Sequence, residues 1–369
     1  ASKGYTTHFM IRGKKGIGKS SIADYFIDIA ENEFNMLGVH VYNDGVNNIE
    51  TLIQHTIDRI LNEIKRESWS KKIFDKLKKH VKSVGVFGTK IEFEGDRETM
   101  DYIKNNYAFF LESLIADFEN GKGLLITIDD INGLSNTPDF ANWYKSFADT
   151  ISSQFKGNIP LIFILTTYPE IALTLHNQNP SFSRVFKHIV LEGLNDNEIE
   201  DFFTKTFAKK NIKVDSDAMD LMVRFSSGLP NMMQEIGNNI FWINNDEKVD
   251  VEDSLKGIIM AGENIGIKYL QPVLDESIRS EKYLNILNIL SQDFSNFGLD
   301  KDYTFKKADF LKKLKKEEAN VFSDFLKRAR NLNIIEHANG KKGAYQFTNN
   351  LYPIYFKIQS LKKETQIKI

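Results

Sequence analysis

Ten residues near the start of the chain, RGKKGIGKSS from Arg12 to Ser21, set three glycines and three lysines between two apolar-patterned segments. Gly13 to Ser20 match GxxxxGK[ST] position by position. The chemistry open to such a loop is phosphate binding. Glycines let successive backbone N–H groups converge on phosphate oxygens, and the start of the following helix adds its positive end. In that geometry Gly13, Lys14, Lys15, Gly16, Ile17 and Gly18, with Ser20 and Ser21 at the helix start, wrap the phosphates. Lys19 reaches the β- and γ-phosphates, and the Ser20 hydroxyl ligates Mg²⁺. A second candidate is GLLITIDDIN, Gly123 to Asn132, a buried-strand pattern ending in two acids. Asp129 would hold the magnesium through water, and Asp130 would orient or deprotonate the attacking water. Taken alone, Asp-Asp at a strand end is a cap or a turn; the upstream loop is what favours a metal site. The run IPLIFILTTYPE ends in Thr166 and Thr167, where a hydroxyl could touch the γ-phosphate.

These residues need elements to hold them. THFMI, Thr7 to Ile11, is β-prone, and from Ser20 to Glu31 the apolar Ile22, Ala23, Phe26, Ile27 and Ala30 follow helical spacing. VHVYND, Val39 to Asp44, reads as a second strand and Ile49 to Ile64 as a helix. An insertion of about residues 65–97 follows, with a lysine-dense helix from Trp69 to Val81 and a hairpin from Val84 to Gly95. Most of Lys71, Lys72, Lys76, Lys78, Lys79 and Lys82 lie off the Ile73, Phe74, Leu77, Val81 face, as on a solvated amphipathic helix or one that meets nucleic acid or a partner. Residues 193–268 are helix-rich and begin at an Asn195 or Asp196 cap; we expect a linker at 269–280. Residues 281–369 read as helices Lys282 to Leu290, Phe305 to Leu314 and Glu317 to Leu332, then two β-like runs joined by Gly-Lys-Lys-Gly.

Composition narrows the classes. A length of 369 residues suggests two or three domains. With 41% hydrophobic and 27% charged residues the chain is globular and not disordered. The net charge of −2 conceals an asymmetry: from Lys282 onward there are 17 Lys/Arg against 9 Asp/Glu, which leaves 31 against 41 before it. Without cysteine, disulfides, thiolate metal sites and Cys nucleophiles are excluded. Apolar runs such as Leu161 to Leu165 fall far short of the roughly 18 residues that span a bilayer. We expect a cytoplasmic protein with no membrane partner; an opening at Ala1 instead of Met is compatible with a leader ahead of it. The seven histidines show no metal-ligand spacing, and neither GxSxG nor a guanine-reading NKxD occurs.

The order GKKGIGKS, LLITIDD, ILTT, SFSRVF before FKHIVLEGL, and SSGLPNMMQEIG resembles the AAA+ ATPases. Within them it is similar to origin-recognition-type initiators and archaeal-type ATPases, and to their signalling relatives, the STAND NTPases. The resemblance implies an α/β core with a five-stranded parallel sheet, a helical lid at 193–268, ATP with Mg²⁺, and a core ending at 192. It also implies a nucleotide-controlled change of shape or assembly, so a homo-oligomer or a partner protein. By the same resemblance Thr167 takes the sensor-1 place, Arg184 is the candidate arginine finger toward a neighbouring subunit's ATP, and Pro230 lies near the base. Three departures stand out: Asn231 follows Gly228-Leu229-Pro230 where a sensor-2 arginine is usual, Asp130 stands where many relatives have Glu, and no adenine-contacting segment precedes the loop. A shorter carboxylate sits farther from the water, so hydrolysis is expected to be slow. Insertions placed like 65–97 touch DNA in initiator-type relatives. The C-terminal pattern resembles a winged helix-turn-helix. Its third helix sets Val321, Phe322, Phe325, Leu326, Ala329 and Leu332 on one arc and Asn320, Ser323, Lys327, Arg330 and Asn331 on the other. That second face could enter a major groove of double-stranded DNA while Lys341 and Lys342 touch phosphate. The alternatives are a signalling or scaffold ATPase whose winged helix meets protein and, more weakly, a small-molecule kinase.

Overall fold

The computed structural model describes residues 5–43, 45–66, 97–118, 122–293, 304–338 and 341–366. The expected lysine-dense helix Trp69 to Val81 and hairpin Val84 to Gly95 lie outside these residues. The chain divides into two units, residues 1–192 and 193–369.

In the first unit five strands, β1 (Thr7–Arg12), β2 (Met36–Tyr42), β3 (Gly123–Asp129), β4 (Leu161–Thr167) and β5 (Lys187–Val190), pair in parallel in the order β2-β3-β4-β1-β5. Parallel neighbours require crossover connections. These are made by α1 (Lys19–Phe34), α2 (Ile49–Arg66), α3 (Arg97–Asn105), α4 (Tyr107–Ala116), α5 (Asp139–Gln154), α6 (Pro169–Gln178) and the short α7 (Pro180–Ser183). A sheet with helices on both faces has apolar residues on both, and β3 is buried along its whole length. Alternation sorts its side chains. Leu124, Ile126 and Ile128 join the larger core with Leu37, Val39, Val41 and Phe163, whereas Leu125 joins Ile11, Ala30, Met36 and Ile164 in the smaller core beneath α1. Thr127 and Asp129, two and four positions from Leu125, therefore face α1.

The larger core ends in an aromatic cluster around His8. The His8 ring stacks on Phe163 at 5.8 Å and 9°, meets Phe147 and Phe186 edge-on, and bonds the Tyr144 hydroxyl through Nδ1 at 2.9 Å. His8 is only 8% exposed, and burial lowers its pKa from 6.5 to about 4. The folded state thus resists a proton that the unfolded chain accepts. Stability is unaffected above about pH 7, declines as the pH drops through 6.5, and levels off near 4, a fall of about 3 kcal/mol from this group. Urea unfolding should show that extra decline in the native protein and its absence in His8→Phe; parallel pH profiles would show that His8 does not titrate in this way.

The second unit begins with four helices, α8 (Asp196–Ala208), α9 (Ser216–Ser226), α10 (Pro230–Ile243) and α11 (Val251–Ile265), joined by the two-residue strands β6 (Lys213–Val214) and β7 (Lys248–Val249). Asn195 caps α8 in a reciprocal box with Glu198. At the expected linker, a π-turn, Gly266–Leu270, continues α11 and leads into α12 (Gln271–Ser277). Then come α13 (Glu281–Asp293), β8 (Phe305–Lys306), α14 (Lys307–Leu311), α15 (Lys316–Asn331), β9 (Ile335–His337) and β10 (Ala344–Phe347). The strands form an antiparallel sheet, β8-β10-β9. This succession fits a winged helix. Phe305, expected to open a helix, pairs with Tyr345 as the third strand, so the helix begins only at Lys307. Finally α16 (Leu351–Gln366) returns along α11, which it approaches so closely that a Cβ on Gly266 would lie 1.9 Å from the Tyr355 ring. Asn350 ties the start of α16 to the end of α9, its N–H donating to Ser227 Oγ at 2.9 Å and its amide to the Arg224 carbonyl at 2.7 Å.

Candidate functional site

The Gly-Lys loop connects β1 to α1 as the motif demands. Gly16 (φ 80°) and Gly18 (φ 94°) hold left-handed backbone, which a side chain would disfavour, and Gly18 is the N-cap of α1. The Lys19 ammonium folds back onto its own loop, donating to the carbonyls of Gly13 at 3.0 Å and Lys14 at 3.2 Å. It also sits 4.3 Å from the centre of the Tyr168 ring. Burial lowers the Lys19 pKa, and Lys15 adds to this, against the opposing pull of Asp130, Asp129 and Glu170. Lys14, Lys15, Ser20 and Ser21 are exposed, Gly13 and Ile17 buried.

Strand order decides what lies beside the loop. Because β4 separates β1 from β3, the carboxyl end of β4 falls between the loop and the acidic pair. Register puts Leu165 opposite Ile128 and Thr167 opposite Arg12, so Thr166 lies alongside Asp129. The Thr166 hydroxyl donates to Asp129 Oδ1 and accepts from the Asp130 N–H at 2.9 Å. Burial pushes the Asp129 carboxyl up, but the nearby His40 ring and hydrogen bonds from Ser20 and Thr166 outweigh it and hold the pKa below the ordinary value. His40 Nε2 stands 3.7 Å from Asp129 Oδ2, beyond hydrogen-bond length, so its influence is chiefly electrostatic. Asp130 has left-handed backbone (φ 65°), a conformation Asp tolerates better than most residues. Its Oδ1 accepts the N–H of Asn132 at 3.1 Å, an Asx turn.

Thr167 does not meet the acids directly; its hydroxyl donates to Asn132 Oδ1 at 3.0 Å. Arg184 is not brought to this loop either. It lines a cleft of about 660 Å³ with Thr6, Thr7, His8 and Lys187, at the amino ends of β1 and β5 and thus at the opposite end of the strands from the Gly-Lys loop. Buried Phe182 and Phe186 on either side leave Arg184 exposed between them. Pro230 stands in the second unit at the first position of α10. On α15 the apolar arc is buried except for half-buried Val321 and Leu332, while Asn320, Ser323, Lys327, Arg330 and Asn331 are exposed, as are Lys341 and Lys342. Sequence reading missed Asn132, Tyr168 and His40. The signal for His40 was a single imidazole in an otherwise apolar strand, MLGVHVY, on the alternate face from Val39 and Val41.

The sequence matches no family model and no curated protein. The fold is similar to that of the ORC2 protein of Aeropyrum pernix, solved as ADPNP-ADP complexes, with a TM-score of 0.58 and 12% identity over 98% of this chain and 90% of that one. It is also similar to the Walker-type ATPase of Pyrococcus abyssi, with a TM-score of 0.54 and 16% identity over 95% of this chain and 91% of that one. At these identities the likeness concerns the fold, and it agrees with the expected AAA+-type α/β architecture. No helix among the described residues is long and apolar enough to cross a membrane.

Proposed function

We propose that this chain is a Mg·ATP-binding ATPase of the AAA+ type, akin to origin-recognition-type initiators, whose nucleotide state governs DNA binding or assembly. What supports this most is the meeting of Lys19 and Ser20 with Asp129 and Asp130 at the carboxyl ends of β1 and β3. The oxygen donors suit the metal. Mg²⁺ is bound through one or two carboxylates plus phosphate oxygens and keeps several waters. Among the described residues no cluster of His, Cys, Asp and Glu could hold a metal by itself. The Gly13–Ser20 backbone and Ser21 would wrap the triphosphate, Ser20 and Asp129 would hold Mg²⁺, and the ion would supply charge neutralisation at the phosphates. Asp130 orients the attacking water, Thr167 acts beside it through Asn132, Pro230 contributes from the lid, and Arg184 serves the nucleotide of a neighbouring copy. The adenine nucleotides in the Aeropyrum pernix complexes support ATP as the ligand. Nucleotide can switch the protein only through unequal affinity for its two states. Calorimetric titration with Mg·ATP tests the reading, and folded protein that gives no heat of association overturns it.

DNA is the partner supported by the exposed face of α15 and the lysines of the wing. Duplex affinity should fall with salt at a log-log slope of about 0.9 per phosphate contacted, and Lys341→Ala with Lys342→Ala should lower that slope by about 2. Fluorescence anisotropy across a salt series reads both. Absence of salt-dependent binding in either nucleotide state would remove DNA and leave assembly as the output, to be read as particle size in ATP against ADP.

A further inference from the structure

We propose that His40 is a positioning residue for the Asp129 carboxylate, and that Asp24 holds His40 in place. The inference rests on the nucleotide-binding reading above and deepens it.

His40 lies on the face of β2 that looks toward α1, with its side chain only 10% exposed. Its Nδ1 is 2.5 Å from Asp24 Oδ1. Ionised carboxylates only accept, and one stands at each ring nitrogen, so the ring faces both with N–H donors, as imidazolium. The bond to Asp24 turns the other edge of the ring inward. Nε2 lies 3.7 Å from Asp129 Oδ2 and has no hydrogen-bond partner among the described residues. Rotation of the imidazole is opposed by stacking on Tyr42, with ring centres 4.1 Å apart and planes at 18°.

Helix geometry explains why Asp24 can do this. Ser20 and Asp24 are four residues apart, on one face of α1, so the helix that brings the Ser20 hydroxyl to Asp129 also brings Asp24 to His40. Asp129 is thereby bracketed from three elements: Thr166 of β4 bonds Oδ1, His40 of β2 faces Oδ2, and Ser20 of α1 completes the set. A carboxylate that orders the waters of Mg²⁺ must keep one rotamer, and groups behind such ligands are what keep it. Two of the three, Thr166 and Ser20, belong to the strand-end and loop motifs; the Asp24–His40 pair belongs to neither.

The test separates metal binding from nucleotide binding. ADP affinity is measured calorimetrically in EDTA and then with increasing Mg²⁺, and the environment of the bound metal is read from the electron paramagnetic resonance of Mn²⁺·ADP. His40→Leu should weaken the metal affinity of the protein–ADP complex about ten- to a hundred-fold, with a changed Mn²⁺ spectrum and metal-free ADP affinity within about twofold of native. His40→Gln, whose amide can still face Asp129, should recover part of the loss. Asp24→Ala should act in the same direction, and because Asp24 is 57% exposed it carries the test if His40→Leu fails to fold. Unchanged metal affinity in His40→Leu and Asp24→Ala, or an equal loss of metal-free ADP affinity, overturns the proposal. If native protein binds no nucleotide, the functional reading fails and this inference with it; if it binds nucleotide and the variants keep native metal affinity, this inference alone fails.

Discussion

Lys19→Ala is expected to remove most ATP affinity, a loss of about 2–5 kcal/mol, or roughly 30- to 5,000-fold in Kd. Without ligand the ammonium rests on two carbonyls of its own loop and on the Tyr168 ring, so part of its hydration is already gone before phosphate arrives. Exchanging neutral carbonyls for phosphate oxygens converts hydrogen bonds charged at the donor alone into bonds charged at both partners. The substitution deletes that gain and leaves the glycine backbone intact, so circular dichroism and thermal unfolding should remain close to native. Calorimetry with Mg·ATP checks it; native affinity in Lys19→Ala would show that the phosphates lie elsewhere.

Asp130→Asn should behave in the opposite way, retaining affinity while losing turnover by about 10²–10⁴-fold. The structure makes this substitution a clean probe. Asn tolerates the left-handed backbone at φ 65°, and its side-chain oxygen can accept the Asn132 N–H as Asp130 does now. What disappears is the negative charge that orients or deprotonates water. Phosphate release measured beside ATP affinity distinguishes the two effects, and unaltered hydrolysis would remove Asp130 from the chemistry. Asp130→Ala would be less informative, since it discards the Asx bond and the tolerance for that backbone together.

Much of the site was legible because its parts are local. The Gly13–Ser20 loop is eight consecutive residues whose requirement is backbone freedom, and glycines with a lysine and a serine at fixed offsets announce it. The Asp-Asp strand end and the apolar arc of α15 are likewise short patterns, and both are found where expected. What was not legible shares a cause. Thr166 and Thr167 are adjacent, and which of them meets Asp129 depends on the register of β4 against β3, since successive side chains on a strand point to opposite faces. Nor could the chain around Gly266 reveal that this glycine admits the Tyr355 ring from a helix nearly ninety positions later. Phe305 looked helical because nothing within its own segment reveals the strand it joins at Tyr345.

By itself, then, the amino-acid order determined that a glycine-lysine loop sits between a strand and a helix, that acids stand at the end of a later buried strand, and that the last ninety residues are cationic and helix-rich. Those are properties of neighbours within a turn or a strand, where propensity and spacing act directly. Only the tertiary structure decided that β4 runs between β1 and β3, that Thr166 grips Asp129, and that Asp24 and His40 stand behind the same carboxylate. These pairings join residues far apart in the chain, and they arise from burying both faces of a parallel sheet, an outcome that no local pattern encodes.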